Sequence, residues 1–268
     1  MELAVILVTH NSAEPLDLCL GDIDEDLKPH VVIVDNASLD QTLVVAQRHG
    51  ARVIANQQNI GFARAANAGA RAADQRFLCF LNPDCLPSQE LFLRGVQAMT
   101  ANPCVSASPV LDEGTYGTLS GRQPGYTRLK LVGDMLRTNY GDNFLYRWLR
   151  ARPDYHDRTW WWAHGACLFI SRDLFLSLGG FDEQFFLYME DVDLGRRLSA
   201  AGGEVVELDV RLRHLRGRSC RRVSAIRRLT LLNLGRVRYA AKYYGLTEAL
   251  ILGLIALPAL PLRAALAR

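Results

Sequence analysis

Four short segments of this chain combine residue types that could do chemistry. Thr9-His10-Asn11, Asp35-Asn36-Ala37-Ser38-Leu39-Asp40 and Asn82-Pro83-Asp84 each stop an apolar run, and Glu190-Asp191-Val192-Asp193 opens an amphipathic one. A carboxylate projected by a proline-set turn, as Asp84 is, suits Mg2+ or Mn2+ and, through the ion, a diphosphate; the same tripeptide also makes an ordinary Asx-Pro turn. Asp35 could accept from a pyrimidine N–H or a ribose hydroxyl, while Ser38 or Asp40 could simply cap the following helix. Gly61 and Phe62 begin a run of small residues that either admits a ligand to a helix start or packs tightly, and Asn67 lies in that run. Three carboxylates in one helical turn complement the helix dipole, but they also repel and raise one another's pKa, which is the tuning a general base needs. His214 reads either as a metal ligand or as a surface or satisfied core histidine. Trp160, Trp161 and Trp162 cannot share one face, so at least one ring is expected to be exposed, where a sugar can stack.

The elements around these clusters explain why they could meet. Apolar runs at 3–8, 31–35, 53–55, 77–81 and 105–110 alternate with helical patterns, the signature of a mostly parallel sheet covered by helices on both faces. In such a sheet ligands sit beyond the carboxyl ends of the strands, so the three clusters at 9–11, 35–38 and 82–84 should face one crevice. Residues 111–158 form a long excursion, rich in Gly, Tyr and Arg, with one helix expected over 131–149. Regular structure is expected again at 165–171 as a strand, at 181–188, at 190–201 as a helix and at 204–208 as a strand.

Composition narrows the class. With 268 residues, 49% hydrophobic and 22% charged, the chain can bury one large core and is neither disordered nor fibrous. Six cysteines lack any Cys-x-x-Cys pair, which argues for reduced cytosolic thiols and no structural zinc. The apolar run at 3–8 has no basic leader and reads as a strand rather than a signal peptide. Net charge is only +3, yet residues 211–242 hold eleven Arg and Lys and no Asp or Glu, implying a basic surface. After it, 246–262 is apolar, interrupted by Pro258 and Pro261, and shorter than a spanning helix.

Taken in order, Val8-Thr9-His10-Asn11, Val34 to Asp40, Asn59-Ile60-Gly61-Phe62-Ala63, Leu81-Asn82-Pro83-Asp84, Gly165-Ala166 and Gly179 to Asp193 resemble the family 2 inverting glycosyltransferases of the GT-A fold, and their bacterial rhamnosyltransferase-like branch in particular. The match spans about residues 3–219. The resemblance implies an α/β, Rossmann-like sheet, with a nucleotide-sugar half at 1–110, an acceptor half at 111–220 and a membrane-associating segment at 221–268. It implies that Thr9, Asn11, Asp35, Asn36, Gly61, Phe62, Asn67 and Asn82 surround the nucleotide-sugar. Asp84 would end the metal motif whose first carboxylate is here Asn82, holding Mg2+ or Mn2+ with His214 nearby. Asp191 would be the base, with Glu190, Trp162, His164 and Gly165 on the acceptor side. The branch points to dTDP-L-rhamnose as donor, with UDP-sugars as the alternative, and to a polyprenyl-linked or polysaccharide acceptor. The basic helix over 224–244 and the apolar tail would dock on an anionic membrane, placing the protein in the cytoplasm on the inner face of a bacterial plasma membrane. A nucleotidyltransferase is disfavoured because the segment after the first strand lacks a Gly-rich phosphate loop. A nucleic-acid-binding protein using 211–242 would need a reading module that the sequence does not contain.

Overall fold

Each of the five apolar runs in the first 110 residues becomes a strand. In the computed structural model, which describes residues 2–215 and 224–257, four of them pair in parallel: β1 (Leu3–Thr9), β2 (Val31–Asn36), β3 (Arg52–Asn56) and β4 (Phe77–Leu81), in the order β3-β2-β1-β4. The two-residue β5 (Cys85–Leu86) follows the Asn82-Pro83-Asp84 turn. The fifth run, β6 (Val105–Asp112), does not join β4 directly, and β7 (Thr118–Leu119) folds back on it. A separate ribbon pairs β8 (Arg122–Tyr126) with β9 (His156–Ala163). β10 (Cys167–Ser171) is wedged between β4 and β6, antiparallel to both, and β11 (Glu204–His214) runs parallel to β6 and ends against β5.

Helices α1 (Ala13–Gly21), α2 (Thr42–Arg48), α3 (Phe62–Ala72) and α4 (Gln89–Ala101) connect the first strands. Because side chains alternate along a strand, Leu3, Val5 and Leu7 of β1 enter the core under α1 and α4, whereas Ala4 and Ile6 enter the core under α3. That second core also receives Phe175 of α7 (Arg172–Ser177) and Leu194 and Leu198 of α8 (Glu190–Ala200). Ala63, Ala66 and Ala70 are fully buried there, so the small residues of α3 serve close packing on the sheet. Cys79 and Cys167, on paired strands, hold their sulfurs 4.0 Å apart as thiols.

Several expectations are revised. The helix read over 131–149 is two, α5 (Arg128–Tyr140) and α6 (Phe144–Arg150), because Gly141 takes a φ of 75° and Asn143 starts a new helix by accepting from Tyr146 N at 3.0 Å. Residues 181–188 form turns rather than a regular element. β11 runs six residues past its expected end at 208, through a register shift between Leu208 and Arg211, because β6 offers a partner as far as Asp112.

Among the described residues, part of the basic stretch is buried or paired. Arg213 lies 3.9 Å from Asp112. On α9 (Ala225–Tyr243), buried Arg236 donates to Asp134 O and Thr138 Oγ1 of α5, and Lys242 pairs with Asp182 and Asp193. Four more of its arginines, 216, 218, 221 and 222, lie outside the described residues, as do Cys220, Pro258 and Pro261. α10 (Leu246–Ala256) buries Ala249, Leu252 and Ala256 in a third core with Leu131, Met135 and Tyr239. At about 1.5–3 kcal/mol per large apolar side chain, that seam holds the apolar segment to the protein along one face. Among the described residues no helix is long and apolar enough to cross a membrane.

Candidate active site

The carboxyl ends of β1, β2 and β4 open on one cleft. Thr9, Asn36, Gly61, Phe62 and Asn82 line a cavity of about 180 Å3 there, closed by the 186–188 loop. A second hollow of about 490 Å3 shares Asn59 and Phe186 with it. Together they fall in the range of roughly 300–1,000 Å3 usual for small-molecule sites.

The floor of this cleft is a hydrogen-bonded frame. Asp35 is fully buried and accepts from Thr9 Oγ1 at 2.8 Å, Ser38 N at 2.8 Å and Ser38 Oγ at 2.5 Å. Ser38 Oγ accepts in turn from Asn11 N, and Asn11 Oδ1 accepts from Leu39 N, both at 2.8 Å. The frame holds two non-glycine residues at positive φ, Asn11 at 53° and Ala37 at 57°, conformations that cost energy and collect at functional sites. Asp35 and Asn11 therefore shape the cleft from beneath rather than line it. Neither residue expected as a cap is the N-cap of α2, which is Gln41: Asp40 accepts from Thr42 N at 3.0 Å just ahead of it, and Ser38 is committed to the frame.

Two residues at α3 carry packing contacts. Gly61 has a φ of 88°, and a Cβ there would lie 2.6 Å from Phe186 O, which also accepts from Phe62 N at 2.7 Å. The close approach that the glycine permits is thus made by the 186–188 loop. Asn67, expected at the nucleotide, is buried and clamps Phe181: its Nδ2 donates to Phe181 O at 2.8 Å and its Oδ1 accepts from Phe181 N at 2.9 Å. Asn67→Ala leaves that backbone N–H and C=O without partners and is expected to lower stability by about 2–4 kcal/mol. Chemical denaturation checks it, with nucleotide-sugar affinity of the folded protein unchanged.

Asp84 sits at the other end of the Asn82-Pro83-Asp84 turn, 1% exposed, with its Oδ1 3.5 Å from His214 Nε2. The pairing of β11 with β5 puts His214 opposite Cys85, and the end of β6 brings Glu113 within 3.5 Å of His214 Nδ1. A carboxylate and an imidazole converging at this spacing fit Mn2+ or Mg2+, with Glu113 placed to orient the ring. Cys85, whose sulfur is also close, is a soft donor that suits Mn2+ or Mg2+ less than an oxygen does. Burial and the Asp84 charge hold its thiol well above the usual range, and it donates to Ala166 O at 3.5 Å.

The acidic turn divides into three roles. Asp193 is fully buried and structural, binding Arg197 at 2.7 Å, Lys242 at 2.6 Å and Tyr243 Oη at 2.7 Å, which fastens α9 to α8. Glu190 is buried, and burial together with the Asp191 charge pushes its carboxyl well above the usual range. Asp191 is pushed up by burial to about 6, restrained by hydrogen bonds from Gly165 N at 3.0 Å and Val192 N at 2.8 Å. Tyr188 and Met189, at φ of 72° and 74°, present this pair in a strained turn. Gly235 of α9 backs that turn so closely that a Cβ would lie 2.8 Å from Tyr188 O.

Gly165-Ala166 joins the two chemical groups: Gly165 N donates to Asp191, and Ala166 O accepts from Asn82 N at 2.9 Å. Beside it, Trp162 stacks on His164 at 6.0 Å and donates to Pro124 O at 3.1 Å. Trp160 is buried, and Trp161 lies under Arg122 at 4.0 Å, as strand alternation in β9 requires. Sequence reasoning passed over His10, which lines the cleft and bonds Asn36 O at 2.7 Å, although it stands inside the polar cluster. It also passed over Glu113 and the wall formed by Phe186, Leu187 and Tyr188, for which only the tertiary pairing supplies a signal.

Known proteins resemble this chain in sequence and in fold. Residues 4–178 match the family profile described as Glycosyl transferase family 2. The N-acetylglucosaminyl-diphospho-decaprenol L-rhamnosyltransferase of Mycobacterium tuberculosis is 30% identical over 221 residues, covering 75% of this chain and 71% of that one. Rhamnosyltransferase WbbL of Escherichia coli K12 is 23% identical over 209 residues, covering 74% and 77%. Among solved structures, the mannosyltransferase PcManGT from Pyrobaculum calidifontis, in complex with GDP-Man and Mn2+, superposes with a TM-score of 0.58 at 20% identity, over 98% of this chain and 73% of that one. The chain belongs to glycosyl transferase family 2 and has the GT-A fold.

Proposed function

We propose that this glycosyltransferase moves L-rhamnose from dTDP-L-rhamnose to a hydroxyl of a polyprenyl-diphosphate-linked glycan, with inversion, in the cytoplasm at the inner face of a bacterial plasma membrane. The observation that carries the reading is the Gly165-Ala166 link, which ties a carboxylate tuned to about 6 to the Asn82-Pro83-Asp84 turn. The identity of the donor and acceptor draws on the branch resemblance and on the similarity to an enzyme named for N-acetylglucosaminyl-diphospho-decaprenol.

Each residue then has a task. Thr9, Asn36 and Asn82 line the cleft that receives the nucleotide and its diphosphate. Asp191, ionised above pH 6, takes the proton from the acceptor hydroxyl. The acceptor oxygen forms its bond to the anomeric carbon on the face opposite the diphosphate, whose C–O bond breaks, so the nucleoside diphosphate leaves with the electron pair and configuration inverts. Glu190, beside Asp191, orients the acceptor by hydrogen bonding, and Trp162 offers a ring for stacking. Asp84 and His214 would hold Mn2+ or Mg2+, which when bound neutralises charge on the departing diphosphate.

Thermal unfolding with dTDP-L-rhamnose, UDP-sugars and GDP-mannose, each with and without Mn2+ or Mg2+, tests the donor. The largest rise in Tm is expected for dTDP-L-rhamnose with metal. A larger rise with a UDP-sugar reassigns the donor within the family, and no rise with any nucleotide-sugar overturns the cleft assignment.

A further inference from the structure

Among the described residues, one flank carries an exposed band of large apolar side chains. On α10, Leu246, Leu250, Leu254 and Leu257 are each between 64% and 75% exposed. Their spacing makes one stripe, opposite the Ala249, Leu252 and Ala256 face that packs into the third core. On α6, Phe144 is 82% and Trp148 50% exposed. Tyr140 Oη donates to Ile255 O at 2.8 Å, which sets the last turn of α10 beside the turn that opens α6. The two exposed faces therefore belong to one surface. A contiguous apolar band of this kind marks an interaction site rather than ordinary scatter.

The rim says what the surface fits. Residues 137–154 hold four arginines against two aspartates. Arg147, Arg150 and Arg152 are exposed around Trp148, with the Arg152 guanidinium 5.4 Å from its ring. Asp142 is paired with Arg147 at 3.0 Å and Glu248 of α10 with Arg128 at 2.9 Å, which leaves Arg150 and Arg152 as the exposed cations beside Trp148. Leucines and aromatics ringed by arginine are the composition of a surface lying in a bilayer interface, where the rings sit at headgroup level and the guanidinium groups meet phosphates. An eleven-residue helix reaches only about 16 Å, so α10 lies along such a surface and does not span it. A two-fold contact between copies through the same face would crowd two arginine rims together.

We propose that α6 and α10 together form a docking face that seats the protein on an anionic bilayer, in place of the basic helix α9. The choice of a bilayer as occupant rests on the lipid-linked acceptor of the preceding reading, but vesicle binding is measured without donor or acceptor, so the two can fail separately. The test is flotation of the full chain with phosphatidylcholine vesicles and with vesicles containing phosphatidylglycerol. Binding is expected on the anionic vesicles and should weaken with salt. The pairs Phe144→Ser with Trp148→Ser, and Leu250→Ser with Leu254→Ser, should each lower the bound fraction about tenfold or more, at unchanged Tm. Arg227→Glu on α9 should leave it unchanged. Wild-type protein that stays unbound, or paired variants that bind as it does, would overturn the proposal. So would a dimer in solution that the same variants dissociate, since the face would then be a contact between copies.

Discussion

Asp191→Asn is expected to lower kcat by about 10²–10⁴-fold while leaving donor affinity within a factor of about two. The asparagine keeps an oxygen able to accept from Gly165 N or Val192 N, but it cannot take a proton. Folding should not suffer. A carboxyl whose pKa is raised on folding makes the folded state less stable as pH climbs from the unfolded value towards 6, so an ionised Asp191 opposes folding at pH 7.5 and its removal relieves that cost. The exchange also removes a charge that raises Glu190, whose pKa should fall although burial still holds it up. Measuring kcat and donor affinity on one preparation checks the split. Equal losses in both would mean that Asp191 supports the site structurally instead of removing a proton.

Asp84→Asn should be the second large effect. It removes the charge from one of the two side chains assigned to the metal, in a turn where Asn82 already contributes none. Turnover is expected to fall about 10²-fold or more, and the extra Tm rise that Mn2+ or Mg2+ gives with the donor should disappear. Cys85→Ala provides the contrast. Its thiol is protonated and turned to Ala166 O, so the metal effect should persist even though stability falls from the cavity left behind. Loss of the metal effect in the cysteine variant, or its survival in Asp84→Asn, would exchange the roles of these neighbours.

The nucleotide half was legible in the sequence because its signals are local. Apolar runs such as 77–81 stop at turn-forming polar residues, and a parallel sheet places every such stop at one rim. The trio Glu190, Asp191 and Asp193 stood out for the same reason, crowded into a first helical turn, and the family resemblance singled out Asp191 among them. Which carboxylate does what was not local. Asp193 is taken out of the chemistry by Lys242 and Tyr243, about fifty residues on, and Glu190 is separated from Asp191 by the Asp191 charge and by the Gly165 and Val192 N–H groups that restrain Asp191. The grouping of Asp84, His214 and Glu113 depends on strand pairings that join β5, β6 and β11. Asn67 misled because a buried asparagine clamping a backbone has the same sequence context as one facing a ligand. The apolar tail was legible as apolar, but only its packing on α5 shows which face is left for a partner.

The pH dependence of kcat/KM from pH 4.5 to 8, with the donor and metal that give the largest rise in Tm, tests the base assignment most directly. The value should rise about tenfold per pH unit below 6 and level off above it, because Asp191 must lose its proton near that pH before it can accept one from the acceptor. A profile that is flat from pH 4.5 to 7, or one whose rising limb persists unchanged in Asp191→Asn, would contradict Asp191 as the base.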